Sequence, residues 1–139
     1  MSILKASIEK IDCVETLNIV TFVCAGQKLQ MVSLELPTDI QVGKKVKLIC
    51  KPTAVALAKP TGDLESFCAM LSYSNQLRVE VDTVEKGQLL STILLTLGAF
   101  SLESLTSTEA VERLELQKGD AVIALIKANE LSILELLDD

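Results

Sequence analysis

Two lysines stand at matching points of this chain. Lys51 lies in "ICKPTAVALAK" (49–59) and Lys127 in "LIKANELSILE" (125–135), with 127 − 51 = 76. Each sits where an apolar strand reaches a short break. Other donors gather elsewhere: Ser72, Ser74 and Asn75 ahead of "QLRVEV", and Thr106, Ser107 and Thr108 in "TSTEA". Taken singly, these residues have ordinary uses. A lysine at a strand end is a solvated charge, a hydroxyl ahead of a helix caps it, and a Ser-rich stretch is a linker. The recurrence of the lysine in register requires more, and a duplicated unit supplies it.

Catalysis is poorly served. The chain has no histidine, hence neither the commonest acid–base group nor the usual pH switch. It has no Gly-rich phosphate loop and no nucleophile–base spacing. The sequence therefore predicts that it is not an enzyme. Its four cysteines, Cys13, Cys24, Cys50 and Cys68, form no CxxC pair, so no metal site is expected. Core packing as free thiols in a reducing compartment is the simpler reading.

Charge and composition exclude more. A net charge of −6 and 3 % aromatics disfavour nucleic acid, which is held by cations and stacking rings. The most apolar window, "LLSTILLTLGAF" (89–100), is far shorter than the ~20 residues of a spanning helix, so no membrane is expected as a partner. "MSILKASIEK" lacks the apolar core of a signal peptide. These features predict a cytoplasmic protein. The 139 residues are 49 % hydrophobic, with mean hydropathy +0.41. That is rich for small domains, and predicts apolar faces covered by other subunits.

The elements that position the donors come in two copies. The offset of 76 also pairs Gly43 with Gly119, Val46 with Val122 and Leu57 with Ile133; earlier in each half it is 73, pairing Leu4 with Leu77, Ile8 with Val81 and Phe22 with Leu95. The difference, 76 − 73 = 3, is close to one helical turn. It falls where the second half reads "TSTEAVERLELQKG", a short helix, and the first reads "LELPTDIQVG", a tight turn or single 3₁₀ turn. Thr106 and Glu109 have capping-box spacing, with Ser107 or Thr108 as alternative caps. "ASIEKI" and "LRVEVDTV" alternate as half-buried strands do. Ala25-Gly26 and Gly98-Ala99 mark hairpin turns, and Asp63 could cap a short helix in the linker.

The expected fold is all-β: two tandem OB-like five-stranded barrels, each with at most one short helix. The first barrel spans 1–60, a linker 61–71, and the second barrel 72–139.

The segments "SNQLRVEV", "VERLELQKGDAVIALIKANELSIL" and "VGKKVKLICKPTAVALAK" resemble the molbindin family, whose Mop or TOBE domains bind molybdate and tungstate. Its pattern is Ser-Ala-Arg-Asn-x-Leu at the first strand, Ile-Thr-x-x-Ser before the helix, Leu-x-Leu-x-x-Gly after it, and Ile-Lys-Ala-Ser-x-Val at the last strand pair. The resemblance covers most of both halves. It implies a bound tetrahedral dianion, molybdate or tungstate, which needs donors only. It implies sites where barrels of different subunits meet in a homo-oligomer, dimer or trimer. It also implies a storage, buffering or metal-homeostasis role.

Residue by residue, the resemblance makes Lys127, Ala128 and Asn129 the lysine segment of the second half, with Asn129 where Ser is usual. Ser107 matches the Thr of Ile-Thr, with Thr106 and Thr108 beside it. Ser72 and Asn75 match the first-strand motif, and Ser74 stands where Arg is usual. Ala110 replaces a Ser. In the first half Lys51 and Thr53 match, Pro52 removes a backbone donor, and Ser33 and Ser2 are the remaining hydroxyls. These departures define an alternative: a degenerate di-TOBE interaction or regulatory module that has lost oxyanion binding.

Overall fold

The computed structural model describes residues 2–137. The first half contains β1 (Ser2–Val14), β2 (Leu17–Cys24), β3 (Gln27–Ser33), β4 (Lys45–Cys50), a 3₁₀ turn (Pro52–Ala54) and β5 (Ala56–Ala58). A short helix, α1 (Leu64–Ala69), follows. The second half contains β6 (Asn75–Lys86), β7 (Leu90–Leu97), β8 (Phe100–Ser107), α2 (Thr108–Arg113), β9 (Ala121–Ile126), a 3₁₀ turn (Ala128–Glu130) and β10 (Ser132–Leu137). The fold is all-β, two OB-like five-stranded units, as the sequence predicts.

Alternation builds the core. Leu4, Ala6 and Ile8 on β1 are buried, and so are their counterparts Leu77, Val79 and Val81 on β6. Successive residues of a strand face opposite ways, so each set lines one inner face. Phe22 and Leu29 add to the first core, Leu95 and Leu102 to the second, all at most 1 % exposed. Both long strands carry an irregularity at the same place, between Ile8 and Lys10 and between Val81 and Thr83. There the chain entering β4 or β9 closes on them. Gly43 donates to the Ile8 carbonyl and Gly119 to the Val81 carbonyl, each at 2.8 Å. Both glycines have φ of 92°, in the left-handed range that disfavours a side chain.

The sheets cross the boundary between the sequence halves. One is ordered β10-β4-β1-β2-β3, the other β5-β9-β6-β7-β8. Each half contributes its last strand to the other half's sheet. Ile133 of β10 lies opposite Leu48 of β4, and Leu57 of β5 opposite Ala124 of β9. The 3₁₀ turns after Lys51 and Lys127 are where the chain leaves one sheet for the other. Pro52 stands at the start of the first turn, where its missing N–H costs nothing.

Side chains join the halves as well. Asn75 is fully buried; its Nδ2 donates to the Gln30 carbonyl at 3.0 Å and its Oδ1 accepts from the Gln30 N–H at 2.6 Å. The counterpart in the first half is Ser2, whose hydroxyl accepts from the Glu103 N–H at 2.7 Å. Gln27 bonds both backbone groups of Arg78, at 2.8 Å each.

The short helices are fixed at their ends. Asp63 caps α1 by accepting from the Glu65 N–H. Ser107, one of the alternative caps, caps α2 by accepting from the Ala110 N–H at 3.1 Å. Lys59, from the end of the first half, donates to the Leu114 and Glu115 carbonyls at 3.1 Å each, complementing the negative end of α2. It also pairs with Asp120 at 3.0 Å. The first half has turns in place of α2, in keeping with its missing three residues.

Candidate functional site

Lys51 and Lys127 occupy equivalent backbone positions. Each immediately precedes a 3₁₀ turn, with φ, ψ of −77°, 144° and −70°, 147°. Neither side chain caps its turn. Among the described residues the ion pairs are made by Lys10, Lys28, Lys47, Lys59 and Arg113, whereas Lys51 and Lys127 are exposed and make none of these.

Strand exchange brings each lysine beside the other half's turn. Lys127 lines a hollow of about 340 Å³ with Thr53, Tyr73, Thr106 and Glu130. Lys51 lines a smaller hollow, about 250 Å³, with Cys50, Asn129, Glu130 and Ser132. The two are related by the repeat, since 51 + 76 = 127 and 53 + 76 = 129. In each, a lysine from one half meets the residue two places beyond the lysine of the other half. The first 3₁₀ turn is held against β8 by the buried Ser104 hydroxyl, which donates to the Val55 carbonyl at 2.6 Å.

The hydroxyl run divides its duties. Thr106 lines the Lys127 hollow. Ser107 caps α2. Thr108 is buried, donates to the Gly87 carbonyl at 2.9 Å and meets the Ser91 hydroxyl at 2.8 Å. Ser33 donates to the Glu35 carbonyl and lies with Asn129 along a third hollow, of about 450 Å³. Ser72 and Ser74 are exposed between α1 and β6, and neither lines the lysine hollows. Ala128 is half-buried within the second turn and lines neither hollow.

Tyr73, Glu130, Cys50 and Ser132 are polar lining residues that escape the sequence reading. Tyr73, between the two exposed serines, is half-buried and lines the Lys127 hollow. Its carbonyl accepts from Gln76 Nε2 at 2.9 Å, which anchors its backbone. Glu130 lines both hollows and is the acidic residue common to them. Cys50 lines the Lys51 hollow, and burial pushes its thiol up to about 11. It is therefore a neutral neighbour at pH 7, with no thiolate to repel an anion.

Lysine, hydroxyl and amide donors around small, open hollows can hold a compact anion. Among the described residues no cluster of His, Cys, Asp and Glu could hold a metal cation, and no helix is long and apolar enough to cross a membrane.

Comparison with known proteins bears on the same residues. The TOBE domain family matches residues 71–133, a span that includes Tyr73, Thr106 and Lys127. Among solved structures the chain is similar to the cytoplasmic molybdate-binding protein ModG in a molybdate-bound form. The two are 26 % identical, with 94 % of this chain and 93 % of that chain covered, at a TM-score of 0.83. A molybdate-binding protein from Sporomusa ovata is 31 % identical over 47 % of this chain and 97 % of its own, at a TM-score of 0.46. No curated protein sequence matches. The second half thus carries the TOBE match, and the chain as a whole resembles the tandem architecture of ModG.

Proposed function

We propose that this chain is a molbindin-type protein that binds molybdate or tungstate in the two hollows at its crossed strands, and acts in the cytoplasm as a store or buffer without chemical turnover. The observation that carries the proposal is the double pairing of Lys127 with Thr53 and of Lys51 with Asn129. The likeness to ModG, itself a molybdate-binding protein, supports the choice of ligand. A tetrahedral dianion without a proton accepts from ammonium, hydroxyl, amide and backbone N–H groups alike. The net charge of −6 does not oppose this, because contact donors dominate and distant charges are screened within about 8 Å at physiological salt.

The assembly is a homo-oligomer, dimer or trimer, with further oxyanion sites where subunits meet. Exposed apolar residues at two equivalent hairpins support this: Val14 and Leu17 at one, Leu89 and Leu90 at the other. Native mass spectrometry with and without molybdate reads assembly size and bound mass together. A monomer under all conditions counts against the assembly.

Calorimetry against molybdate, tungstate and sulfate tests the ligand. Saturable molybdate or tungstate heat with little response to sulfate is expected. No saturable heat at high micromolar molybdate overturns the proposal.

Glu130 and Pro52 favour a second reading, a di-TOBE interaction module without its own anion. The first is an acidic residue lining both hollows, and the second removes a backbone donor from the Lys51 turn. A ligand that binds the native state raises its melting temperature. Recovery of a protein partner with no thermal shift on molybdate addition would establish this second reading.

A further inference from the structure

The two hollows are not chemically equal. Tyr73 lines the Lys127 hollow, whereas among the described residues the Lys51 hollow is lined by Ile49, Cys50, Lys51, Asn129, Glu130 and Ser132. A phenol is a neutral donor at pH 7. It can serve an oxyanion without adding a charge that other anions would share. Its ring is rigid, with few torsions to order on binding. Gln76 Nε2 already holds the Tyr73 carbonyl, and the side chain is half-buried before any ligand arrives.

We infer that Tyr73 is a ligand-binding residue of the Lys127 hollow, its hydroxyl donating to the bound oxyanion, and that it makes this hollow the tighter of the two. The inference rests on the proposed oxyanion function and deepens it. Composition makes it directly observable: Tyr73 is the one tyrosine, and tryptophan is absent. Tyrosine emission of the intact chain therefore reports the Lys127 hollow and is silent about the Lys51 hollow.

The test runs equilibrium dialysis and Tyr73 emission side by side on the full chain, with tungstate and molybdate as probes and emission corrected for ligand absorbance. Tyr73→Phe is the variant, and its unliganded melting temperature checks that it folds. The expected result is an emission change saturating with the tighter class of site. In Tyr73→Phe the tighter affinity should fall about tenfold to a hundredfold, the range of one hydrogen bond to a charged group, with the weaker class unchanged. If dialysis shows bound oxyanion while wild-type emission stays flat and Tyr73→Phe binds like wild type, the inference fails and the proposed function stands. If dialysis shows no bound oxyanion, the function on which the inference rests fails first.

Discussion

Asn75 holds both backbone groups of Gln30 across the boundary between the halves, with distances of 3.0 and 2.6 Å. Its primary amide imitates a peptide, donating and accepting as a neighbouring strand would. The counterpart position 73 residues earlier is Ser2, which satisfies only the N–H of Glu103. At these two equivalent positions the halves are thus tied by two bonds on one side and one on the other.

Asn75→Ala should therefore be strongly destabilising. It strands the Gln30 N–H and carbonyl at a part-buried contact, at up to about 1–3 kcal/mol for each orphaned group, or at most roughly 2–6 in all. Chemical denaturation of wild type and variant measures the difference. A loss under about 0.5 kcal/mol would show that the bonds are replaceable by water.

Lys127→Ala should weaken one class of oxyanion site by about 1.5–3 kcal/mol, roughly tenfold to 150-fold, and spare the other. Lys51→Ala should do the converse. Calorimetric titration of both variants decides this. Equal effects of each substitution on both classes would mean that the hollows are not separate sites.

Glu130→Gln should tighten oxyanion binding at both hollows, because this one acidic residue lines both. Relief of a like-charge contact near a protein surface is worth about 1 kcal/mol, or roughly fivefold, and less in high salt. Titrations at two ionic strengths check it. Unaltered or weaker binding by the variant refutes the unfavourable role given to this carboxylate.

Asp120 lends the fold a specific acid sensitivity. The Gln117 N–H, at 2.9 Å, and then Lys59 hold its carboxyl below the usual carboxylate range. A folded-state value lower than the unfolded one stabilises the protein above the ordinary value of about 4, and the benefit is lost as pH falls through the folded value. The melting-temperature gap between wild type and Asp120→Asn should thus narrow on going from pH of about 6 to about 3. A gap that stays constant with pH excludes ionisation as the source of the stabilisation.

Much of this architecture is legible in the residues. Period-two alternation locates β1 and β6 and their inner faces, because burial of Leu4, Ile8, Leu77 and Val81 follows directly from it. The three-residue difference locates α2, because it adds about one turn. The partner of each final strand is not legible. "SILELL" has the composition of a strand that could pair at any open edge, and nothing local makes it choose β4. The choice comes from the 3₁₀ turns, which redirect the chain after each lysine. The site residues divide in the same way. The lysines are marked by their shared register, whereas Tyr73 and Glu130 reach the hollows only through tertiary placement. Ser107 and Thr108 are hydroxyls of the right type that local geometry commits to the cap and the core.

Crossed final strands also impose an order of events during synthesis. The first sheet has an open edge at β4 until Ser132–Leu137 emerge from the ribosome, although β1 to β4 are made long before. An unpaired edge invites pairing with other chains, and contacts so distant in sequence slow folding. The early half of this protein must therefore wait, partly built and vulnerable to aggregation, for Ser132–Leu137 to arrive.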